Sequence, residues 1–321
     1  MQAILCHRYG PASLLAPTEA PVPEILPGRI LVRVRAASVN AYDWHRVLGE
    51  PYFVRLVDGF RGPKNPGVGA DVAGVVDAVG EGVTEVRPGD EVFGMSVGTF
   101  AEAVLVSGEA VVAKPANLSF EQAAAIPLAA TTALQGLRDK GRLQAGERVL
   151  VHGAAGGVGH FAVQIAKALG GHVTATTSAA GLDLVRTLGA DEVIDYGRED
   201  FTQLGRRFDL ILDVGGNRSL RDGRRALAPD GRLVICGAPP GRWIAPVVRP
   251  LSGAILSRFG GPQLLPFLAH RKRSDLLVLK DLAEAGRLVP MIDRTVPLAR
   301  AGEAIDLLRR GGVRGKIVIS V

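Results

Sequence analysis

Glu147–Leu169, E-R-V-L-V-H-G-A-A-G-G-V-G-H-F-A-V-Q-I-A-K-A-L, decides how the rest of the chain is read. Val149 to Val151 form a short apolar run and a glycine-rich turn follows. Apolar residues then recur at Phe161, Ile165, Ala168 and Leu169 with helical spacing. A strand that feeds such a turn and then a helix presents an anion site, because unpaired N–H groups and the positive dipole end of the helix face the ligand. Gly153 suits the tight turn, Gly156 and Gly157 let backbone approach a pyrophosphate, and Gly159 permits close packing of helix on sheet. The stretch predicts dinucleotide binding; a glycine turn that merely packs is the alternative.

Strand and helix go on alternating downstream. Gly170–Gly171 end the helix, and the pattern predicts strand His172–Thr177, helix Leu182–Leu188, strands Val193–Asp195 and Phe208–Val214, helix Leu220–Leu227 and strand Arg232–Cys236. This order is that of a doubly wound parallel sheet in an α/β domain. Upstream, Ser119–Gln122 has the capping-box pattern and opens a helix to about Leu137, disturbed by Pro127. The second strand ends T-A-T-T-S-A-A-G-L, with no acid before Asp183. An NAD enzyme usually places Asp or Glu about 20 residues past the turn, on the ribose 2′-hydroxyl. Thr177 and Ser178 offer hydroxyls that a 2′-phosphate accepts, which favours NADPH over NADH. Cys236–Gly237 closes a strand at the carboxyl edge, where such sheets bind ligands, and nothing beside the thiol lowers its pKa.

The composition agrees with a folded protein of about two domains: 321 residues, 47% hydrophobic and 22% charged. The two cysteines, Cys6 and Cys236, have no framework or metal spacing, so a reducing, cytoplasmic setting is expected. The N-terminal apolar run is too short for a signal peptide, and no stretch of about 20 apolar residues occurs. A net charge of +6 raises nucleic acid as a partner, but the arginines are scattered in pairs without aromatic interleaving. A solvated surface is the better reading, and no nucleic-acid partner is expected.

From Met1 to about Asn117 short strands (Gln2–His7, Arg29–Ser38, Gly69–Val79, Asp90–Met95, Thr99–Val106) alternate with Gly and Pro turns, the pattern of a barrel-like antiparallel domain. Within it stand A-A-S-V-N-A-Y-D-W-H (Ala36–His45), G-A-D-V-A-G-V-V (Gly69–Val76) and V-R-P-G-D-E-V-F-G (Val86–Gly94), and the glycine turn follows in order. Over essentially its whole length the chain resembles the medium-chain dehydrogenase/reductases, in their zinc-free quinone oxidoreductase-like branch.

The resemblance implies a β-rich GroES-like catalytic domain from residues 1–118 plus 290–321 and a Rossmann NADP-binding domain over residues 119–289. It also implies a homodimer. Toward the cofactor it points to Asn40, Thr132, Gly153, Ala155, Gly156, Gly157, Val158, Gly159, Thr177, Ser178, Tyr196, Cys236 and Gly237. Arg314 and Lys316 are expected near a cofactor phosphate or ribose. Zinc-dependent relatives carry Cys where Asn40 stands and His–Glu where Ala70–Asp71 stand, besides a four-Cys loop. A catalytic zinc needs about three N, S or O protein ligands, so no metal is expected here, and Asp71 is read as a structural hydrogen-bonding group. The resemblance puts Asn40 near the nicotinamide and gives Asp43 a part in shaping the site. His45, where relatives carry Tyr, and Tyr52 are candidate proton donors to an enolate or quinol oxygen. A packed or solvated His45 is the alternative, with protons taken from solvent. Trp44, Tyr52 and Phe53 would form an apolar wall for a flat conjugated substrate.

Gly241–His270 is apolar, broken by four prolines and followed by Arg271–Lys272–Arg273. It reads as a lid or dimer contact, or as a peripheral membrane patch that the prolines disfavour. The chain closes with helix Asp275–Ala285, an extended Pro290–Leu298, helix Ala299–Arg309 and strand Lys316–Ser320. The expected activity is NADPH-dependent hydride transfer, without zinc, to quinones or α,β-unsaturated ketones and aldehydes. The alternatives are an alcohol/aldehyde dehydrogenase and a non-catalytic NADPH-binding or membrane-associated protein.

Overall fold

Valine and isoleucine at alternate positions make Arg29–Ser38 a strand that buries one face, and it organises the first of two units. The computed structural model describes residues 1–237 and 261–321. The first unit comprises Met1–Thr131, Arg271–Gly286 and Pro290–Val321, and the second Thr132–His270 and Arg287–Val289. Arg29–Ser38 pairs antiparallel with Asp71–Val79, with Ala103–Ser107 and with Lys316–Ser320. The sheet runs Ile292–Pro297, Lys316–Ser320, Arg29–Ser38, Asp71–Val79, Glu91–Met95, Val111–Ala113, with Ala103–Ser107 paired off that path. One pair, Ile292–Pro297 with Lys316–Ser320, is parallel, so the sheet is not antiparallel throughout. Ile30, Val32, Val34, Val72, Val76, Val92 and Val104 form one core. Ile4, Val39, Val47, Phe100, Ile305, Ile317 and Ile319 form another, where the closing strand meets the first.

The second unit is the doubly wound sheet that the alternation predicts. Its six strands run Glu192–Asp195, His172–Thr177, Arg148–His152, Phe208–Asp213, Leu227–Ile235, Gln263–Pro266. Every neighbouring pair is parallel. Numbered along the chain, the order is 3-2-1-4-5-6, whose switch point falls beside Arg148–His152. The central strands Arg148–His152 and Phe208–Asp213 are mostly buried and apolar, and Val149, Leu150 and Val151 are wholly inaccessible.

The helix that Ser119 caps, Phe120–Ala125, ends where the sequence expects Pro127 to disturb it, and helix Pro127–Leu134 then runs into a wider-wound turn, Gln135–Lys140. The two units divide after Thr131. Helix Arg273–Glu284 also joins the first unit, where Asn117 Nδ2 donates to Ala283 O at 2.9 Å. Gln263–Pro266, inside the segment read as a lid, dimer contact or membrane patch, is the sixth parallel strand. Residues 241–260 of that segment lie outside the described residues. Among the described residues no helix is long and apolar enough to cross a membrane.

Candidate active site

In the second unit the glycine turn leaves strand Arg148–His152 and enters helix Gly159–Ala168, whose first turn no side chain caps. No Ser or Asp side chain takes its first N–H groups, although His160 N donates to Gly156 O at 3.1 Å, and an uncapped helix start of this kind suits an anion. Gly153 has φ +86°, a conformation that favours glycine. A Cβ on Gly159 would lie 2.1 Å from Gly153 O and 2.7 Å from Ala154 Cα, so helix and turn touch backbone to backbone. Gly156 differs. A Cβ there would meet, among the described residues, only Gly153 O at 3.5 Å, an ordinary contact. Packing does not demand glycine at 156, whereas a ligand lying on the turn would. This is the observation that fits a dinucleotide to the residues present.

Side chains that sequence reasoning passed over brace the turn. His152 Nδ1 lies 2.7 Å from Thr176 Oγ1 and Nε2 lies 2.6 Å from Asn217 Oδ1. The Asn carbonyl only accepts, so Nε2 carries the proton and the Thr176 hydroxyl donates to Nδ1. Thr176 Oγ1 in turn accepts from Gly153 N at 3.3 Å. At the end of the second strand the two predicted hydroxyls separate. Thr177 is buried, with its hydroxyl against Gly181, while Ser178 remains partly exposed and Tyr196 is exposed beside it. Ala155 is buried, its methyl also facing Gly181. At the fifth strand's end Cys236 N and Gly237 N both donate to Asp213 O. Burial and the Asp213 charge push the Cys236 thiol far above its ordinary pKa. Thr132 stands half-buried on helix Pro127–Leu134.

The first unit concentrates its buried polar groups around residue 40. Asp71 is fully buried and accepts from Ser38 Oγ (2.8 Å), Asn40 Nδ2 (2.8 Å) and Leu128 N (2.9 Å). It is therefore the hydrogen-bonding group the sequence suggests. Asn40 Nδ2 also donates to Ser38 O at 3.2 Å, and Asn40 Oδ1 accepts from Lys316 Nζ at 2.5 Å. Lys316 Nζ lies 3.6 Å from Asp71 Oδ2. Asp43, at the start of helix Ala41–Leu48, accepts from Asn40 N through Oδ2 (2.7 Å). Among the described residues its other oxygen is buried without a partner, and burial pushes its carboxyl up to about 7. Burial also raises Asp71 and lowers Lys316, each opposed by the other's charge.

The sequence reading sent Lys316 with Arg314 to a cofactor phosphate or ribose. In the structure Lys316 is 2% exposed and its Nζ is held by Asn40 inside the first unit. Arg314 is exposed, with its N–H on Asp293. Residues 314 and 316 would share a face of a regular strand. Gly315 at φ +84° breaks that alternation and separates them.

The proton-donor candidates also differ. His45 Nδ1 is 2.6 Å from Glu50 O, a carbonyl that only accepts, so Nδ1 carries the proton. Nε2 of the neutral ring then has no proton to give. Burial lowers the pKa of His45, which works against the imidazolium. Its ring stacks on Trp44 at 3.6 Å between centroids. Tyr52 is half-buried, its ring under the Arg55 guanidinium at 4.6 Å, and Phe53 is exposed. Tyr9 flanks the same guanidinium at 4.8 Å, an arrangement the sequence does not announce.

The chain matches the family described as zinc-binding dehydrogenase over residues 188–319, and the alcohol dehydrogenase GroES-like domain over residues 26–116. The donors around residue 40 do not fit a zinc ion. They comprise an amide, two carboxylates and an amine, and the amine already engages the amide oxygen that a metal would need. Among the described residues no three His, Cys, Asp or Glu side chains are grouped as a metal site. The chain is 34% identical to human mitochondrial NAD(P)H oxidoreductase, covering 100% of this chain and 89% of that one. It is also 34% identical to tomato 2-methylene-furan-3-one reductase, over 97% and 76% respectively. The Coxiella burnetii quinone oxidoreductase structure superposes with a TM-score of 0.86 at 30% identity, covering 100% and 99%. A parallel sheet with an open glycine turn, the GroES-like match and these relatives agree: the chain is an oxidoreductase of the medium-chain dehydrogenase/reductase family, in the quinone oxidoreductase branch.

Proposed function

We infer that the chain is an NADPH-dependent, zinc-independent reductase that delivers a hydride to a quinone or to the β-carbon of an α,β-unsaturated ketone or aldehyde. Two observations carry this: in one unit a glycine turn whose open face no packing among the described residues explains, and in the other a buried amide–amine–carboxylate cluster where a metal would need ligands. When bound, the nicotinamide supplies the hydride; the protein binds, orients and excludes water. Gly153, Ala155, Gly156, Gly157, Val158 and Gly159 would hold the pyrophosphate. Ser178 and Tyr196 would hold the adenosine end, where the strand-end stretch Thr174–Leu182 carries no acid. Thr132, Thr177, Cys236 and Gly237 would shape the rest of that surface.

Asn40 and Asp43 act in this reading as fixed polar groups, the Asp43 carboxyl raised to about 7 by burial. A proton for the product oxygen comes from Tyr52 or from solvent in preference to His45, whose available proton is committed to Glu50 O. Two unpaired cysteines suit a reducing compartment such as the cytoplasm, and a homodimer is the expected assembly. The test is NADPH oxidation with an ortho-quinone, a para-quinone, an enone and a saturated aldehyde, each with and without chelator. Chelator-resistant turnover of the conjugated acceptors supports the reading. Chelator-sensitive turnover of the saturated aldehyde alone would favour a metal-dependent alcohol/aldehyde dehydrogenase.

A further inference from the structure

We propose that Lys316 is a tethered internal cation that stands between residues 40 and 71 and positions the Asn40 carboxamide. The charges require such a group. Asp71 is 0% exposed, and an uncompensated buried carboxylate is costly. Three donors converge on Asp71, a pattern that favours its ionised form, and Lys316 Nζ is the amine beside it.

The same geometry fixes which way the Asn40 amide points. Oδ1 faces the amine at 2.5 Å, and Nδ2 faces Asp71 Oδ2 at 2.8 Å. A flipped amide would set NH2 against the amine and oxygen against the carboxylate, so both neighbours reject it. The fold brings Lys316 to this point across 276 residues of sequence. Strand Lys316–Ser320 docks on Arg29–Ser38 with Val318 opposite Ser38, and Lys316 N donates to Met291 O at 2.8 Å. Gly315 makes the approach possible, since a Cβ there would sit 2.2 Å from Met291 O. Lys316 is thus a positioning residue that acts through Asn40. Its kinetic consequence rests on the reductase reading, but its place as a cation does not.

The test replaces Lys316 by Ala and offers back the missing part as n-propylammonium, with 1-propanol as the uncharged control. Lys316→Ala is expected to melt below wild type and to regain melting temperature saturably with the amine but not with the alcohol. Its turnover is expected to fall about 10²-fold and to recover with the same amine. NADPH affinity, read by the quenching or enhancement of bound-nucleotide fluorescence, should stay within about twofold; a residue that met a phosphate would lose it. Lys316→Met/Asp71→Asn, which removes both charges at similar volume, is expected to fold and bind NADPH yet remain slow. A double variant with wild-type turnover, or a Lys316→Ala protein that answers the alcohol as well as the amine, overturns the proposal. If wild type itself consumes no acceptor, the reductase reading fails and the melting comparison alone decides on the cation.

Discussion

Two glycines three residues apart should fail in opposite ways when each is replaced by alanine. At Gly156 the added methyl meets only Gly153 O at 3.5 Å among the described residues, and the backbone is outside the left-handed region. The apoprotein should tolerate Gly156→Ala, or gain about 0.4–1 kcal/mol because the unfolded chain loses freedom. That methyl would stand in the open face of the turn and displace a phosphate from the N–H groups. Losing one charge-assisted hydrogen bond costs about 1.5–3 kcal/mol, so NADPH should bind about ten- to hundredfold more weakly. At Gly159 the methyl lands 2.1 Å from Gly153 O and 2.7 Å from Ala154 Cα, both backbone atoms that can give way only by moving the turn. Gly159→Ala should cost about 1–3 kcal/mol of stability, the range for overpacking, and weaken binding as a consequence. Urea melts of both apoproteins and calorimetric titration with NADPH measure the two quantities. If Gly156→Ala bound NADPH as tightly as wild type, the turn would not be the phosphate cradle.

Three further outcomes follow from the same geometry. Asp43, held at about 7 by burial with Asp71, Lys316 and Arg46 as its charged neighbours, keeps its proton in the fold across a window where the unfolded chain releases it. Stability should therefore fall as pH rises from about 4 to about 7 and then level off. Across that window the deficit of wild type relative to Asp43→Asn should grow by up to about 4 kcal/mol in denaturant melts; a constant gap would contradict the shift. His45→Gln should leave the pH profile of kcat in place, because His45 delivers no proton, and chiefly raise KM by loosening the Glu50 loop. A lost basic limb in that profile would reinstate His45 as the acid. Ser178→Asp, which sets a carboxylate where a 2′-phosphate would lie, should reverse the ratio of kcat/KM for NADPH over NADH, and an unchanged ratio would refute the assignment.

What the sequence carried well is local. Val149–Val151, the glycines and Phe161 lie within one strand–turn–helix, and the strand–helix alternation downstream implied the doubly wound parallel sheet that the structure displays. Asp71 was legible as a hydrogen-bonding group because no nearby residue offered metal ligands. Lys316 was not legible, because its position depends on strand Lys316–Ser320 pairing with a strand near the start of the chain. Its burial depends further on one left-handed glycine that breaks the alternation with Arg314. His45 carries a similar lesson: the residue type invites acid–base chemistry, but the carbonyl of Glu50 decides which nitrogen holds the proton. Gln263–Pro266 was hidden by Pro266 and the preceding Pro262, which an outermost strand accepts and a central one would not.

Isotope tracing reads hydride transfer from NADPH to a conjugated acceptor at the atoms involved. The enzyme would be incubated with NADPH deuterated at C4 on each face in turn and with an enone, and the product examined by NMR. Deuterium from one of the two cofactor faces, found at the β-carbon of a saturated ketone and unaffected by chelator, is the predicted result. A product bearing deuterium at the carbonyl carbon, or NADPH bound with no labelled product from any conjugated acceptor, would contradict it.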